Sequence, residues 1–242
     1  MRILGTNTLH RLYYWGGLAD AFVDIMIGDK MISCSSRIAK ISELHKFLEF
    51  NLSEDPQKTK DQLKRQLRAW LDDHVTITCI VDTREQLPYT EKETGLPHVT
   101  QKNETGDYCF YAEWTTDEGE TTKFDLGLII ERKTVNDFYS TLMVKKNCDR
   151  FYREIERTKD HDFFIFVEGS EAEYLSYVIP AKRRNMKAEI IKTNSARRGK
   201  LASLEMRGAH VCFKSSRLNS CLDLKKYAEQ WLLKHYAEVL DL

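Results

Sequence analysis

The feature that most constrains this chain is an apolar run that ends in charge. Residues 126–137 read LGLIIERKTVND. Leu128, Ile129 and Ile130 have the composition of a strand buried on both faces, yet Glu131, Arg132 and Lys133 follow without a break. Charges at such a junction are costly unless they are used. Side chains alternate along a strand, so Glu131 and Lys133 share one face and Arg132 takes the other. A carboxylate and an ammonium are thus expected side by side at the end of a rigid element. That pair suits metal-assisted phosphodiester hydrolysis, in which a carboxylate holds a cation and a lysine orients or activates water.

The preceding residues strengthen this reading. TGDYCFYAEW predicts a strand over Tyr108 to Trp114, and the polar tip TTDEGETT leads from it into the charged strand. Gly119, midway between Asp107 and Glu131, lies in that tip. An antiparallel hairpin closed there, with no bulge, sets Asp107 opposite Glu131 with Cβ atoms about 5 Å apart. Two carboxylates then face one cation.

Upstream, VTITCIV predicts a buried strand ending in Asp82, Thr83, Arg84 and Glu85, and polar residues emerging at a strand terminus are where α/β sites usually lie. Taken alone, Asp82 and Arg84 also read as a surface ion pair. The three blocks together, Val81-Asp82-x-Arg84-Glu85, Gly106-Asp107 and Glu131-Arg132-Lys133-x-x-x-Asp137, resemble the motif of the XPF/Mus-type structure-selective DNA endonucleases, which include archaeal Hef. The interval from Asp107 to Glu131 is longer than that pattern usually has, and a lengthened hairpin absorbs it.

The resemblance covers about residue 75 onward. It implies a restriction-endonuclease-like α/β core, a central mixed sheet flanked by helices, over 75–242, preceded by a helical region over 1–74. It also implies Mg²⁺-dependent hydrolysis of DNA phosphodiesters, with Mn²⁺ able to substitute, on branched, flap or fork DNA in repair, recombination or replication. Asp107, Glu131 and Asp82 are the expected metal ligands, and Lys133 positions the attacking water. Glu85 and Asp137 support the cluster, and Arg84 and Arg132 contact phosphate or hold the carboxylates. Asp137 also fits a capping arrangement with Thr134, so both roles stand open. Arg150 is a further DNA contact by resemblance, and Glu168, at the end of FFIFVEGS, is read as structural support. A homodimer or a nuclease partner chain is expected, and a non-catalytic DNA-binding or scaffolding subunit is the alternative. Many relatives carry helix-hairpin-helix modules after this domain; none is legible here, so DNA selectivity is expected from the N-terminal helices, a second copy or another protein.

Composition sets the remaining bounds. Net charge is zero, so attraction to DNA must be local. Between Lys182 and Lys200 eight basic residues stand against one glutamate, which nominates Arg183, Arg184, Arg197 and Arg198 as DNA-backbone contacts, with a solvated loop as the plain alternative. Six cysteines without a C-x-x-C pair argue against a zinc ribbon and for reduced thiols. No apolar run approaches membrane-spanning length, so the expectation is an intracellular protein without a membrane partner, in the nucleus or nucleoid.

Residues 1–74 read as helical. The spacing of Leu18, Ala21, Phe22, Ile25 and Met26 predicts one helix, and Ile38, Ile41, Leu44 and Leu48 predict another. A third is predicted from Asp55 through Leu71, with Lys60, Lys64 and Arg68 as a basic face. Gln86 to Thr105 reads as a loop beside the site. After Ala209 to Lys214, a last helix from about Asn219 carries the apolar stripe Leu224, Ala228, Trp231 and Leu232.

Overall fold

The computed structural model of the protein describes the backbone of residues 22–27 and 30–35, and residues 59–115, 119, 121–179 and 186–239. The chain divides into two compact units. One comprises Cys79–Phe110 and Gly127–Lys226 and holds every described residue of the predicted site. The other comprises Met1–Thr78, Tyr111–Leu126 and Tyr227–Leu242.

The elements in chain order are β1 (Phe22–Ile27), β2 (Lys30–Ser35), α1 (Lys60–His74), β3 (Thr76–Asp82), α2 (Glu91–Thr94), β4 (His98–Gln101), β5 (Tyr108–Thr115) and β6 (Thr121–Thr134). They continue with α3 (Val135–Met143), α4 (Lys145–Glu156), β7 (Asp162–Glu168), α5 (Glu171–Ser176), α6 (Met186–Glu205), β8 (Ala209–Lys214) and α7 (Arg217–Val239). Six strands form one sheet in the order β4-β3-β5-β6-β7-β8. β3 and β4, β6 and β7, and β7 and β8 run parallel. β5 and β6 are adjacent and joined by a link too short for a parallel crossover, so they form an antiparallel hairpin and the sheet is mixed. The expected mixed sheet flanked by helices is what the chain forms.

The parallel strands dictate the helices. A parallel pair needs a crossover, which α3 and α4 supply between β6 and β7, and α5 and α6 between β7 and β8. Thr134 starts α3 by accepting the Asp137 N–H, which turns the chain out of the strand directly after Lys133. In α4 the buried residues Cys148, Phe151 and Ile155 recur every three to four positions, and Phe151 and Ile155 join a core with Ile129, Phe138, Phe163 and Ile165. The β6/β7 register, with Glu131 beside Ile165 and Thr134 beside Glu168, brings the charged ends of both strands to one edge of the sheet.

Several segments differ from the sequence reading. Phe22 to Met26, expected in a helix, form half of a hairpin in which Phe22 pairs with Ser35 and Ile27 with Lys30. The two residues between Ile27 and Lys30 are Gly28 and Asp29, a two-residue hairpin signal that outweighs a helical spacing carried by few positions. The helix expected over Ile38 to Leu48 lies outside the described residues. The third helix starts at Lys60 rather than Asp55, because Thr59 and Gln62 make a reciprocal capping box there. Gln86 to Thr105 is ordered by α2, by β4 and by the buried side chains of Tyr89 and Leu96. The last helix begins at Arg217, and Leu224, Ala228, Trp231 and Leu232 are all buried as its stripe predicted.

The basic stretch is mostly helix α6, and Arg197 is a correction to the DNA-contact set. It is fully buried. Its Nη1 donates to the carbonyls of Tyr174 (3.0 Å) and Leu175 (2.5 Å), and its Nη2 to that of Tyr177 (2.6 Å), while the guanidinium lies 5.0 Å from the centre of the Tyr139 ring. The side chain satisfies the carbonyls left open where α5 ends, a structural task closed to solvent. Arg183 and Arg184 lie outside the described residues. None of the five cysteines whose side chains are described is in a disulfide, and no described helix is long and apolar enough to cross a membrane.

Candidate active site

The site is built on Gly106 and Asp107, immediately before β5. Gly106 has φ +78°, and a Cβ added to it would run into Ile129 Cγ2. Only glycine lets the backbone pass β6 this closely in this conformation. Asp107 is thereby held between two strands: its N–H donates to the Ile130 carbonyl (3.1 Å) and its carbonyl accepts from the Asp82 N–H (2.8 Å). Its Oδ2 accepts from the Arg132 N–H at 2.7 Å.

This register is one residue from the expected pairing with Glu131. Gly127, inside β6, has φ +65°, the left-handed conformation that a bulge uses. The hairpin is centred one residue before the expected Gly119, which alone would set Asp107 opposite Ile129, and one extra residue on β6 moves the pairing to Ile130. At the hairpin tip, Thr115 Oγ1 and Thr121 Oγ1 are 3.1 Å apart and Lys123 pairs with Glu113 at 3.0 Å.

Glu131 and Lys133 share a face of β6, as alternation requires. Lys133 Nζ donates to Glu131 Oε1 at 2.7 Å, and the two side chains are 14% and 13% exposed respectively. The ammonium also lies 5.0 Å from the centre of the Phe151 ring on α4. Burial opposes the charge on Lys133, but Glu131, Asp107 and Glu154 outweigh it, and its pKa lies above the ordinary lysine value. Burial, and then the charge of Glu131, push the Asp107 carboxyl well above the usual carboxylate range. Glu154 is raised too, by burial and then by Glu131, with Lys133, Arg157 and Arg150 acting in the other direction. The sequence reading missed Glu154. It lies three residues beyond Phe151, one helical turn along the same face of α4, among arginines that draw the eye first.

Asp82 sits apart from this group in function. Its Oδ1 accepts from the Arg84 N–H (2.7 Å) and Nε (2.7 Å), and its Oδ2 from Arg84 Nη2 (2.9 Å) and the Asn103 N–H (2.7 Å). Four hydrogen bonds occupy the four acceptor positions of this carboxylate, so in this arrangement it ties down the loop after β3. The Arg84 hydrogen bond holds its pKa down, at about 2. Arg84, whose Nη2 also donates to the Asn103 carbonyl at 2.8 Å, therefore anchors the loop after β3.

Arg132 holds carboxylates rather than facing outward: Nη2 is 2.9 Å from Glu85 Oε1 and Nη1 is 3.2 Å from Glu168 Oε2. Glu168 accepts the Tyr89 hydroxyl as well, at 2.8 Å. Asp137 is exposed and bonded to Thr134 through both its N–H and its Oδ2, so it serves the helix start. Arg150 is exposed on α4, and Arg198 is exposed on α6 with Nε 3.1 Å from Asn194 Oδ1.

A stretch of 141 residues that carries all three motif blocks, residues 81–221, matches the model of the ERCC4 domain. The chain belongs to the ERCC4-domain family. The match spans more than half of the chain, and the ERCC4 domain is a nuclease domain, in line with the resemblance drawn from the motifs. Among solved structures, XPF from Aeropyrum pernix is similar at 19% identity over 68% of this chain and 67% of that one, with a TM-score of 0.39. The same protein in complex with DNA is similar at 17% identity over 65% of each chain, also with a TM-score of 0.39. No curated protein matches the chain.

The donor set fits a hard divalent cation. Asp107 and Glu131 offer oxygens only, in a partly buried place. No group of three or more His, Cys, Asp or Glu is arranged as a metal cage among the described residues. Mg²⁺ does not require one, since it keeps several waters and takes one or two carboxylates together with substrate phosphate oxygens.

Proposed function

We propose that this ERCC4-family chain is a Mg²⁺-dependent endodeoxyribonuclease that cuts DNA at branched, flap or fork junctions. The observation that carries the reading is the Lys133 ammonium held 2.7 Å from Glu131 beside a partly buried Asp107 carboxyl. Asp107 and Glu131 would hold the metal. Bound there, Mg²⁺, or Mn²⁺ in its place, neutralises charge on the phosphoryl oxygens and lowers the pKa of a water.

The chain's own residues supply the rest. Lys133 keeps its proton at neutral pH, so it serves as a donor that orients the attacking water and offsets charge building on the scissile phosphate. Glu131 holds that ammonium at 2.7 Å, and the charge of Glu154 adds to the negative field around it. Arg132 aims Asp107 through its main chain while its guanidinium is anchored by Glu85 and Glu168. Arg150 and Arg198 offer exposed cations for the DNA backbone, and Arg183 and Arg184 in the same basic stretch, with Lys60 and Arg68 on α1, are further phosphate-binding candidates. Residues 1–74 contribute to choosing among DNA structures, alone or with a second copy or a partner chain. The place of action is wherever that DNA lies, nucleus or nucleoid.

The test is incubation with flap, fork, splayed-arm and plain duplex DNA, with Mg²⁺ and with a chelator. Metal-dependent cutting of the junction substrates supports the reading. DNA binding without any cutting would assign the chain to a scaffolding role.

A further inference from the structure

Arg217, the first residue of α7, belongs to none of the motif blocks, yet it reaches the segment beside the site. Its Nη1 and Nη2 donate to the carbonyls of Leu87 (3.1 Å) and Pro88 (2.9 Å), and its guanidinium lies 4.6 Å from the centre of the Tyr89 ring. Its carboxylate partners are farther off, 3.8 Å to Glu93 and 3.9 Å to Glu168. Long ion pairs of a partly exposed arginine contribute little by themselves. What Arg217 does at hydrogen-bond distance is fork two successive carbonyls and thereby place Tyr89.

Tyr89 passes that placement on. It is 1% exposed, its ring stacks on Tyr108 at 5.2 Å, and its hydroxyl donates to Glu168 Oε1 at 2.8 Å. The other oxygen of Glu168 accepts from Arg132 Nη1. The Arg132 Nε is buried with no hydrogen-bond partner among the described residues, so the guanidinium is held by its two terminal nitrogens, on Glu85 and Glu168. Arg132 in turn gives its main-chain N–H to Asp107.

We propose that Arg217 is a positioning residue of the Asp107–Glu131 site, acting through Tyr89, Glu168 and Arg132. The inference rests on the proposed function. Outer partners that orient ligand-bearing residues typically matter by about 10- to 100-fold in metal affinity or rate.

The experiment compares full-length wild type, Arg217→Ala, Arg217→Lys and Tyr89→Phe. Mn²⁺ affinity without DNA is read by electron paramagnetic resonance, and single-turnover cleavage and DNA affinity are read separately. Arg217→Ala is expected to weaken Mn²⁺ binding and slow cleavage by about tenfold each, with DNA affinity unchanged. Arg217→Lys and Tyr89→Phe, which keep most of the packing, should fall between and serve as the test if the alanine variant does not fold. Wild-type Mn²⁺ affinity and rate in all folded variants would overturn this proposal alone. Weaker DNA binding at unchanged Mn²⁺ affinity would overturn it too, by making Arg217 a DNA-binding residue. A wild type that binds no Mn²⁺ would overturn the nuclease reading itself.

Discussion

The main-chain N–H of Arg132 donates to the Asp107 carboxylate at 2.7 Å, so the residue between Glu131 and Lys133 fixes the aim of the carboxyl group contributed by the neighbouring strand. Side-chain alternation puts Glu131 and Lys133 on the site face, and the residue in between turns its guanidinium away to Glu85 and Glu168. In the proposed site three consecutive charges therefore take three separate tasks, one each for ligand, anchor and donor.

Gly106 makes that aim possible, and Gly106→Ala is expected to be severe. A left-handed non-glycine residue costs about 1–3 kcal/mol, before the clash of its Cβ with Ile129 is counted. The variant should unfold at lower denaturant concentration than wild type and lose cleavage through displacement of Asp107. Chemical denaturation together with single-turnover kinetics checks both effects.

Asp82 predicts a pH effect away from the Asp107–Glu131 pair. Its folded-state pKa is depressed from 3.8 to about 2, mainly by the Arg84 hydrogen bond, so ionised Asp82 favours the folded state. That contribution is fully present above 3.8 and is lost as pH falls through about 2. The stability difference between wild type and Asp82→Asn in metal-free protein should therefore shrink across this acid window. Urea unfolding at a series of pH values measures it, and a constant difference would show that the Arg84 clamp does not act on ionisation.

Arg197→Ala should destabilise the fold without changing how DNA binding depends on salt. Leaving the carbonyls capped by Arg197 unsatisfied costs about 1–3 kcal/mol each, less whatever water regains. By contrast, replacing Arg183, Arg184 or Arg198 with alanine removes a proposed phosphate contact, and each such replacement should reduce the log–log salt slope by about 0.9. Denaturation curves and binding titrations across salt concentrations distinguish the two behaviours.

Glu154→Gln tests the carboxylate on α4. Removing its charge relieves Glu131 and deprives Lys133 of one of three anionic neighbours. The expected result is a lower cleavage rate, by about tenfold, at unchanged DNA affinity. A rate equal to wild type would leave Glu154 a spectator.

How much of this was legible follows from the range over which each signal acts. Strand alternation and the three short motif blocks are local, so the partnership of Glu131 with Lys133, and the family itself, could be read directly. For Asp82 and Arg132 the sequence offered the observed arrangement only as one of two alternatives, the pair with Arg84 and the holding of carboxylates, because the choice depends on partners distant in sequence: the Asn103 N–H for one and Glu168 for the other. Arg197 misled for a related reason, since a cation in a basic run reads as solvated until the carbonyls of Tyr174, Leu175 and Tyr177 are seen to surround it. Two further signals are local and legible. An isolated glycine inside a strand pattern, Gly127, marks a bulge, and Gly28-Asp29 marks a tight hairpin.

The central claim is that Asp107, Glu131 and Lys133 form a metal-dependent phosphodiesterase site, and single-turnover cleavage of junction DNA by wild type, Glu131→Gln, Asp107→Asn and Lys133→Ala tests it most directly. Each factor of ten in rate corresponds to about 1.4 kcal/mol of transition-state stabilisation, so removal of a ligand should cost several such factors. The account predicts Mg²⁺-dependent cutting by wild type and none measurable by the three variants, all four binding the DNA with similar affinity. Cutting by Glu131→Gln at close to the wild-type rate would contradict it.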